Sequence, residues 1–496
     1  MMRKLRLSGA VVLATTLGIF AGACSNDATN NGGTATAPVA PGEVVAPGET
    51  AAPEPEDTTV IGTNLTGPLE PATITWVHNM TSGLTPGFIQ QVAAEFEALH
   101  PGIEVNVQAV ENDLLRDTTL PEAFHGGAAP DLFQSWGGGE LREWANEGIA
   151  MDLTEVLAPT IDPLGGSTDI WSIDGHIYGV PYTLGPAGMW VNLNVLNEAG
   201  LVQNAVLDAS GNVESGTVNW PTTMDGLFEM WDTLQEHGIT PVAVGGASPG
   251  WAAAWWWYAT ASKVCSASAL ASASNEHNWS DPCWIEAGQQ LQTVLNQNAF
   301  NDGWLDTPPQ GGTNSSAGMV ATGQAAMEFM GPWNRQVMGE ILNQRDGSPA
   351  GTPPPAYLVW YPLPDIADGA GAGTLMAGGD GFSVLNPARG SQARSDAAAA
   401  LLAYFMSDEV QVRFADPYTS GIPGVPVSPA AIVAEDDPVI GKMAEALRAA
   451  PHTVQWLDVL FGDEVGGTMN NVIVEFMDGQ GAPQGIVDAI NDAAGN

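Results

Sequence analysis

The chain has 496 residues, 13 Lys plus Arg against 56 Asp plus Glu, and a formal net charge of −43. That length supports two to four compact units, each able to bury a core. A surface so acidic repels phosphate backbones and anionic headgroups, excluding a nucleic-acid partner, while 44% hydrophobic residues and 17 Trp exclude a wholly disordered chain.

Residues 1–23 read as an export signal. Arg3, Lys4 and Arg6 make a basic start, and an apolar run from Gly9 to Ala23 follows, too short to span a bilayer comfortably. Phe20-Ala-Gly-Ala-Cys24 resembles a lipobox, with Ala21 where Leu is usual, so Cys24 is the expected lipidation site; an ordinary cleavage near Ala23 is the alternative. From Asp27 to Pro71 there are seven Pro, seven acids, no Lys or Arg and no aromatic residue, a composition unable to form a core. Residues 24–71 are therefore expected to be a tether, holding an extracytoplasmic body on a lipid anchor. The longest other apolar run, Trp251 to Ala261, is too short to span.

Export also bears on the remaining cysteines. In an oxidising compartment Cys265 and Cys283 are a candidate disulfide, with a metal site as the alternative. The seven histidines never come within four residues of one another, so no metal is expected, and neither is a cofactor.

The body alternates strand and helix. Thr73–Val77 reads as a strand, Thr85-Pro86 as an N-cap and first helical position, and Phe88, Ile89, Val92, Phe96 and Leu99 recur at helical spacing. Pro101-Gly102 ends that helix, and Ile103, Val105 and Val107 alternate as a second strand. A helical stretch at Leu114–Phe124, a third strand at Asp131–Trp136 and a helix at Leu141–Glu147 follow. This order implies an α/β fold with a mainly parallel sheet and ligands beyond the carboxyl ends of its strands, at His78-Asn79 and Ser135-Trp136.

The segments PGIEVNVQAV, GGAAPDLFQSWGGGEL, NEGIAMDLTEVL, IDGHIYGVPY, WAAAWWWYATAS, AAMEFMGPWN, GGDGFSVLNP and AALLAYFMSDEVQVRFA occur in this order. Together they resemble the family 1 extracellular solute-binding proteins, the sugar-capturing components of ABC importers. The resemblance implies a type II periplasmic-binding-protein fold, two hinge-linked α/β lobes with ligand in the cleft between them. Lobe 1 is expected over 72–185 and 358–422, lobe 2 over 186–357, and a helical C-terminal part over 423–496 mainly on lobe 2. Crossings are placed near Tyr182–Gly188, Tyr357–Pro364 and Gly421–Ser428. The implied function is a monomeric receptor, not an enzyme, that captures a carbohydrate by hinge closure and delivers it to membrane permease subunits. A neutral oligosaccharide is the expected ligand.

Pyranose rings need apolar platforms and polar groups for paired hydroxyls. Trp136, before three glycines that let a ligand approach the backbone, is one candidate platform; packing against the next helix is its alternative. Trp255, Trp256 and Trp257 fan over about 200° of a helix, so one or two face the cleft, with Trp256 the first choice and Trp255 beside it. Trp333 stands where the resembling family places a stacking tryptophan, and Tyr182 and Trp456 complete the aromatic set. The polar candidates are His78, Asn79, Ser135, Asn334 and Asp380, each with the alternative of a loop residue bonding its own backbone.

Two other classes compete. An exported glycoside hydrolase acting on oligosaccharides needs two carboxyl groups at a separation that sequence does not give, and no GxSxG, HExxH or recognisable glycosidase segment is present. A P-loop is absent too. A surface adhesion module fits an anchor and tether but not the strand–helix order.

Overall fold

Alternating Ile74, Trp76 and His78 give the first strand, Ala72–His78, a fully buried face, and this strand lies in the largest sheet. The computed structural model describes residues 60–495; the signal, Cys24 and the tether through residue 59 lie outside the described residues. Residues 60–71, expected in the tether, instead lie against the first lobe. Val60 is buried in its core, and the Asn64 amide nitrogens donate to the carbonyls of Val156 and Glu155.

The first sheet has seven strands. In spatial order they are Val425–Pro426, Val180–Pro186, Leu375–Val384, Leu132–Ser135, Ala72–His78 and Ile103–Ala109, with Thr453–Val454 also on Leu375–Val384. The first three strands of the chain pair in parallel as expected. Leu375–Val384 is antiparallel to both its long neighbours, so the sheet is mixed rather than mainly parallel. The reason is connectivity: this strand returns from the second lobe and enters from the opposite end. The helix Thr85–Leu99 buries Phe88, Ile89, Val92 and Phe96 at the predicted spacing. Its N-cap is Leu84, without a side-chain cap bond, not Thr85, whose hydroxyl is engaged with Ser420 and Gln336.

The second sheet orders Thr240–Ala243, Ala325–Met330, Gly188–Asn192 and Leu358–Tyr361. The segment from 358, expected in lobe 1, thus still runs in the second sheet through Tyr361. Its chain returns over 362–374, where Lys263 Nζ donates to Asp365 Oδ1 at 2.8 Å and to the Thr374 carbonyl at 2.9 Å. Between the two sheets the outward crossing is short, since Val180–Pro186 and Gly188–Asn192 are separated by Ala187 alone.

The C-terminal part serves both lobes. Val425–Pro426 and Thr453–Val454 extend the first sheet, whereas Asp463–Met477 packs on the second-lobe helix Trp251–Val264. Cys265 and Cys283 are disulfide-bonded, tying the end of that helix to the start of Cys283–Leu295. No helix among the described residues is long and apolar enough to cross a membrane.

Candidate functional site

The carboxyl ends of the first sheet face a cleft of about 680 Å³ whose opposite wall comes from the second lobe. Seven of the eleven candidate residues line it: Asn79, Trp136, Tyr182, Trp255, Trp333, Asp380 and Trp456. Each is placed there by a different piece of local structure. Asn79 and Trp136 immediately follow strands, and Asp380 sits at a register shift in Leu375–Val384. Trp333 follows the strand Ala325–Met330, in a turn held by the Trp190 indole, which donates to the Gly331 carbonyl at 2.9 Å.

The polar floor centres on Asp380. Gln134 Nε2 donates to its Oδ1 at 2.9 Å and Asn79 Nδ2 at 3.4 Å, and the Trp136 indole also hydrogen-bonds it. Burial nevertheless wins over these donors and pushes its carboxyl up to about 6. Tyr182, fully buried against Phe382 and Phe414, borders the cleft from beneath, and its hydroxyl lies 3.4 Å from Gln134 Nε2. Burial holds that phenol well above its ordinary value.

The aromatic wall is an assembled cluster. Trp255 stacks on Trp456 at 4.8 Å and meets Trp333 edge-on at 5.6 Å. Trp251, one helical turn before Trp255, meets both Trp255 and Trp333. Edge-to-face and offset contacts of this kind fix the indoles relative to one another; Trp255 and Trp456 are buried in the cluster, while Trp251 and Trp333 are part-exposed at the cleft.

Four candidates lie elsewhere. Trp256, the first choice of its triplet, packs in the second-lobe core on Trp231, Phe300 and Phe329. The 100° step along a helix explains this: Trp255 takes the cleft face, Trp256 the sheet face, and Trp257 stacks on Trp284. Asn334 is buried and donates to Glu328 Oε2 at 2.7 Å. Ser135 is buried and bonds the Gly137 amide. His78 points into the core beside Trp76, where Nδ1 accepts from the Met80 amide and burial lowers its pKa to about 4.

The three glycines after Trp136 have a different role from the one expected. A Cβ on Gly138 would sit 2.2 Å from Gln455 Oε1, and one on Gly139 would sit 2.5 Å from the Leu460 carbonyl oxygen. What approaches this backbone is the protein's own chain: Ile170 at Gly137, and at Gly138 and Gly139 segment 455–462, which brings Trp456 and Asp458 into the cleft.

Several lining residues escaped the sequence reading. Arg116, from a π-helical turn, lies over Trp136 and reaches Glu140 and Asp458 at 3.4 and 3.2 Å. Asp113 Oδ2 accepts from the Trp251 indole at 3.4 Å, and Asn470 Oδ1 accepts from the Tyr258 hydroxyl at 2.6 Å. Trp251 carried a readable signal, its four-residue spacing to Trp255; Asp458 and Asn470 are distant in sequence and carried none. No group of three or more metal-ligating side chains occurs among the described residues.

The family model described as "Bacterial extracellular solute-binding protein" matches residues 82–412. The chain belongs to that family. A relative from Rhizobium meliloti (strain 1021), named "Probable sugar-binding periplasmic protein", is 25% identical over 46% of this chain and 50% of its own length. The chain thus spans about half the length of the curated relatives it matches. A solved "Chitin oligosaccharide binding protein" superimposes with a TM-score of 0.70 at 21% identity, over 85% of this chain and 97% of its own. A structure described for xylan utilization by Caldanaerobius polysaccharolyticus does so with a TM-score of 0.70 at 19% identity, over 85% and 99%. These superpositions establish the two-lobed solute-binding fold, and the cleft of this family member lies between its lobes.

Proposed function

We propose that the protein is the substrate-binding receptor of an ABC importer, capturing an oligosaccharide of two or more rings and delivering it to the membrane permease. The observation carrying this reading is the cleft itself, where five indoles (Trp136, Trp251, Trp255, Trp333 and Trp456) line one space with the Asp380 network. Each ring face serves about one pyranose, and the carboxylate and amides accept and donate to paired hydroxyls. The sugar-binding names of the relative and of the structural neighbour support the same ligand class. Binding energy drawn from both walls favours the closed form, so ligand shifts the open–closed population. The mature chain is a monomer held outside the cell by a lipid on Cys24 and standing off on its acidic tether.

A thermal-shift screen over di- and trisaccharides, followed by small-angle scattering with the best binder, tests this. Stabilisation by oligosaccharides and a smaller radius at saturation are expected. Stabilisation only by single sugars or non-carbohydrate solutes sinks the oligosaccharide reading, and release of reducing ends would make the protein a hydrolase instead.

A further inference from the structure

The acidity of the exterior is solvated, but the cleft concentrates it. Six carboxylates, on Glu111, Asp113, Asp117, Asp380, Asp458 and Asp463, line the cleft beside one guanidinium, that of Arg116. Arg116 is already neutralised: Nε faces Glu140 Oε1 and Nη1 faces Asp458 Oδ2. The acids are also partly removed from water. Asp458 is 3% exposed, and its second oxygen, Oδ1, is buried without a hydrogen-bond partner among the described residues. Asp380 is 8% exposed and receives donors only from neutral amide and indole groups. Asp113 is half-buried and bonded to the Trp251 indole, which places a carboxylate at the edge of the tryptophan cluster.

A neutral sugar can donate hydroxyls to these oxygens, yet closure around it would dry the cleft and leave its negative charge uncompensated. A cation removes that cost, and indole faces attract cations through their ring quadrupoles. We propose that the ligand is an oligosaccharide bearing at least one protonated amine, whose ammonium is taken by the unneutralised carboxylates and indole faces of the cleft. This rests on the receptor reading above and replaces the neutral oligosaccharide expected from the sequence.

Calorimetry of the mature chain at low salt, slightly below neutral pH, tests it with three probes of equal length and linkage. These are the β-1,4-linked trimers of glucosamine, N-acetylglucosamine and glucose. The free-amine trimer should bind ~10-fold or more tighter than either neutral trimer, with the advantage shrinking as salt screens the site. Asp113→Asn should reduce the amine-to-neutral ratio. Equal or tighter binding of a neutral trimer overturns the amine inference and leaves the receptor reading standing. Failure of all three trimers, and of the wider saccharide screen, overturns both.

Discussion

The indole of Trp255 lies over that of Trp456 with ring centroids 4.8 Å apart and planes 20° from parallel. The two rings arrive from separate parts of the chain, Trp255 on the second-lobe helix Trp251–Val264 and Trp456 beside the strand Thr453–Val454 of the first sheet. Gln455 donates to the Trp136 carbonyl, and the Trp456 ring rests where a Cβ on Gly378 would otherwise be. The aromatic wall therefore joins elements of both lobes, and its geometry depends on how the C-terminal segment docks.

Two tryptophans separate binding from folding. Trp333→Ala removes a half-buried ring from the cleft wall and should weaken ligand binding by ~1–3 kcal/mol while the fold survives. Trp76→Ala empties a fully buried site between Phe382 and Phe405 and should cost ~3–5 kcal/mol of stability. Calorimetry and melting curves on both variants check this. Normal binding with early melting for Trp333→Ala would make that ring a core residue.

Local periodicity made the first lobe readable: the strand Ala72–His78, the helix after it and Ile103–Ala109 follow from alternation and helical spacing. The antiparallel return strand was not readable, because its direction depends on a connection through another lobe. The candidates that the fold brings to the cleft are the residues after strands, Asn79 and Trp136, the tryptophans Trp255, Trp333 and Trp456, and Tyr182 and Asp380. Trp256 failed because three consecutive indoles are indistinguishable until the helix is docked. Gly138 and Gly139 read as room for a ligand, whereas the fold fills that space with segment 455–462, a contact between parts of the chain too distant for local sequence to reveal.

The proposed role of Asp380 as a ligand partner implies pH-dependent binding. Its carboxyl, pushed up to about 6 by burial, is ionised at neutral pH and would accept from ligand donors in that form. Affinity should fall as pH drops through about 6, and Asp380→Asn should flatten that limb. Titrations from about pH 5 to 7 read this directly. A wild-type profile flat across this range would remove Asp380 from the ligand's partners.

Glu328 governs stability instead. It is fully buried, hydrogen-bonded to Ser316 and Asn334, and burial raises its carboxyl from 4.5 to about 8. A folded-state pKa above the unfolded one means that the folded protein holds the extra proton. Its stabilising contribution is full below about 4.5 and is lost as pH rises to about 8. Glu328→Gln keeps an acceptor for Asn334 and offers Ser316 a donor, so its melting temperature should gain on wild type progressively across that window. A constant difference between the two would show that Glu328 does not titrate there.

The docking of segment 455–462 can be isolated with two glycines of matching φ. Gly138 and Gly148 have φ of 65° and 66°, where L side chains are disfavoured, so alanine at either costs ~1–2 kcal/mol. Around Gly148 a Cβ meets nothing within 4 Å, whereas at Gly138 it would lie 2.2 Å from Gln455 Oε1. Gln455 carries Trp456 next to it, so Gly138→Ala should displace the ring that stacks on Trp255. Gly148→Ala is expected to lower the melting temperature and leave ligand affinity at the wild-type value. Gly138→Ala is expected to lower both, with quenching of the tryptophan cluster altered in fluorescence. Equal affinities for the two variants would mean that the cleft wall does not depend on this contact.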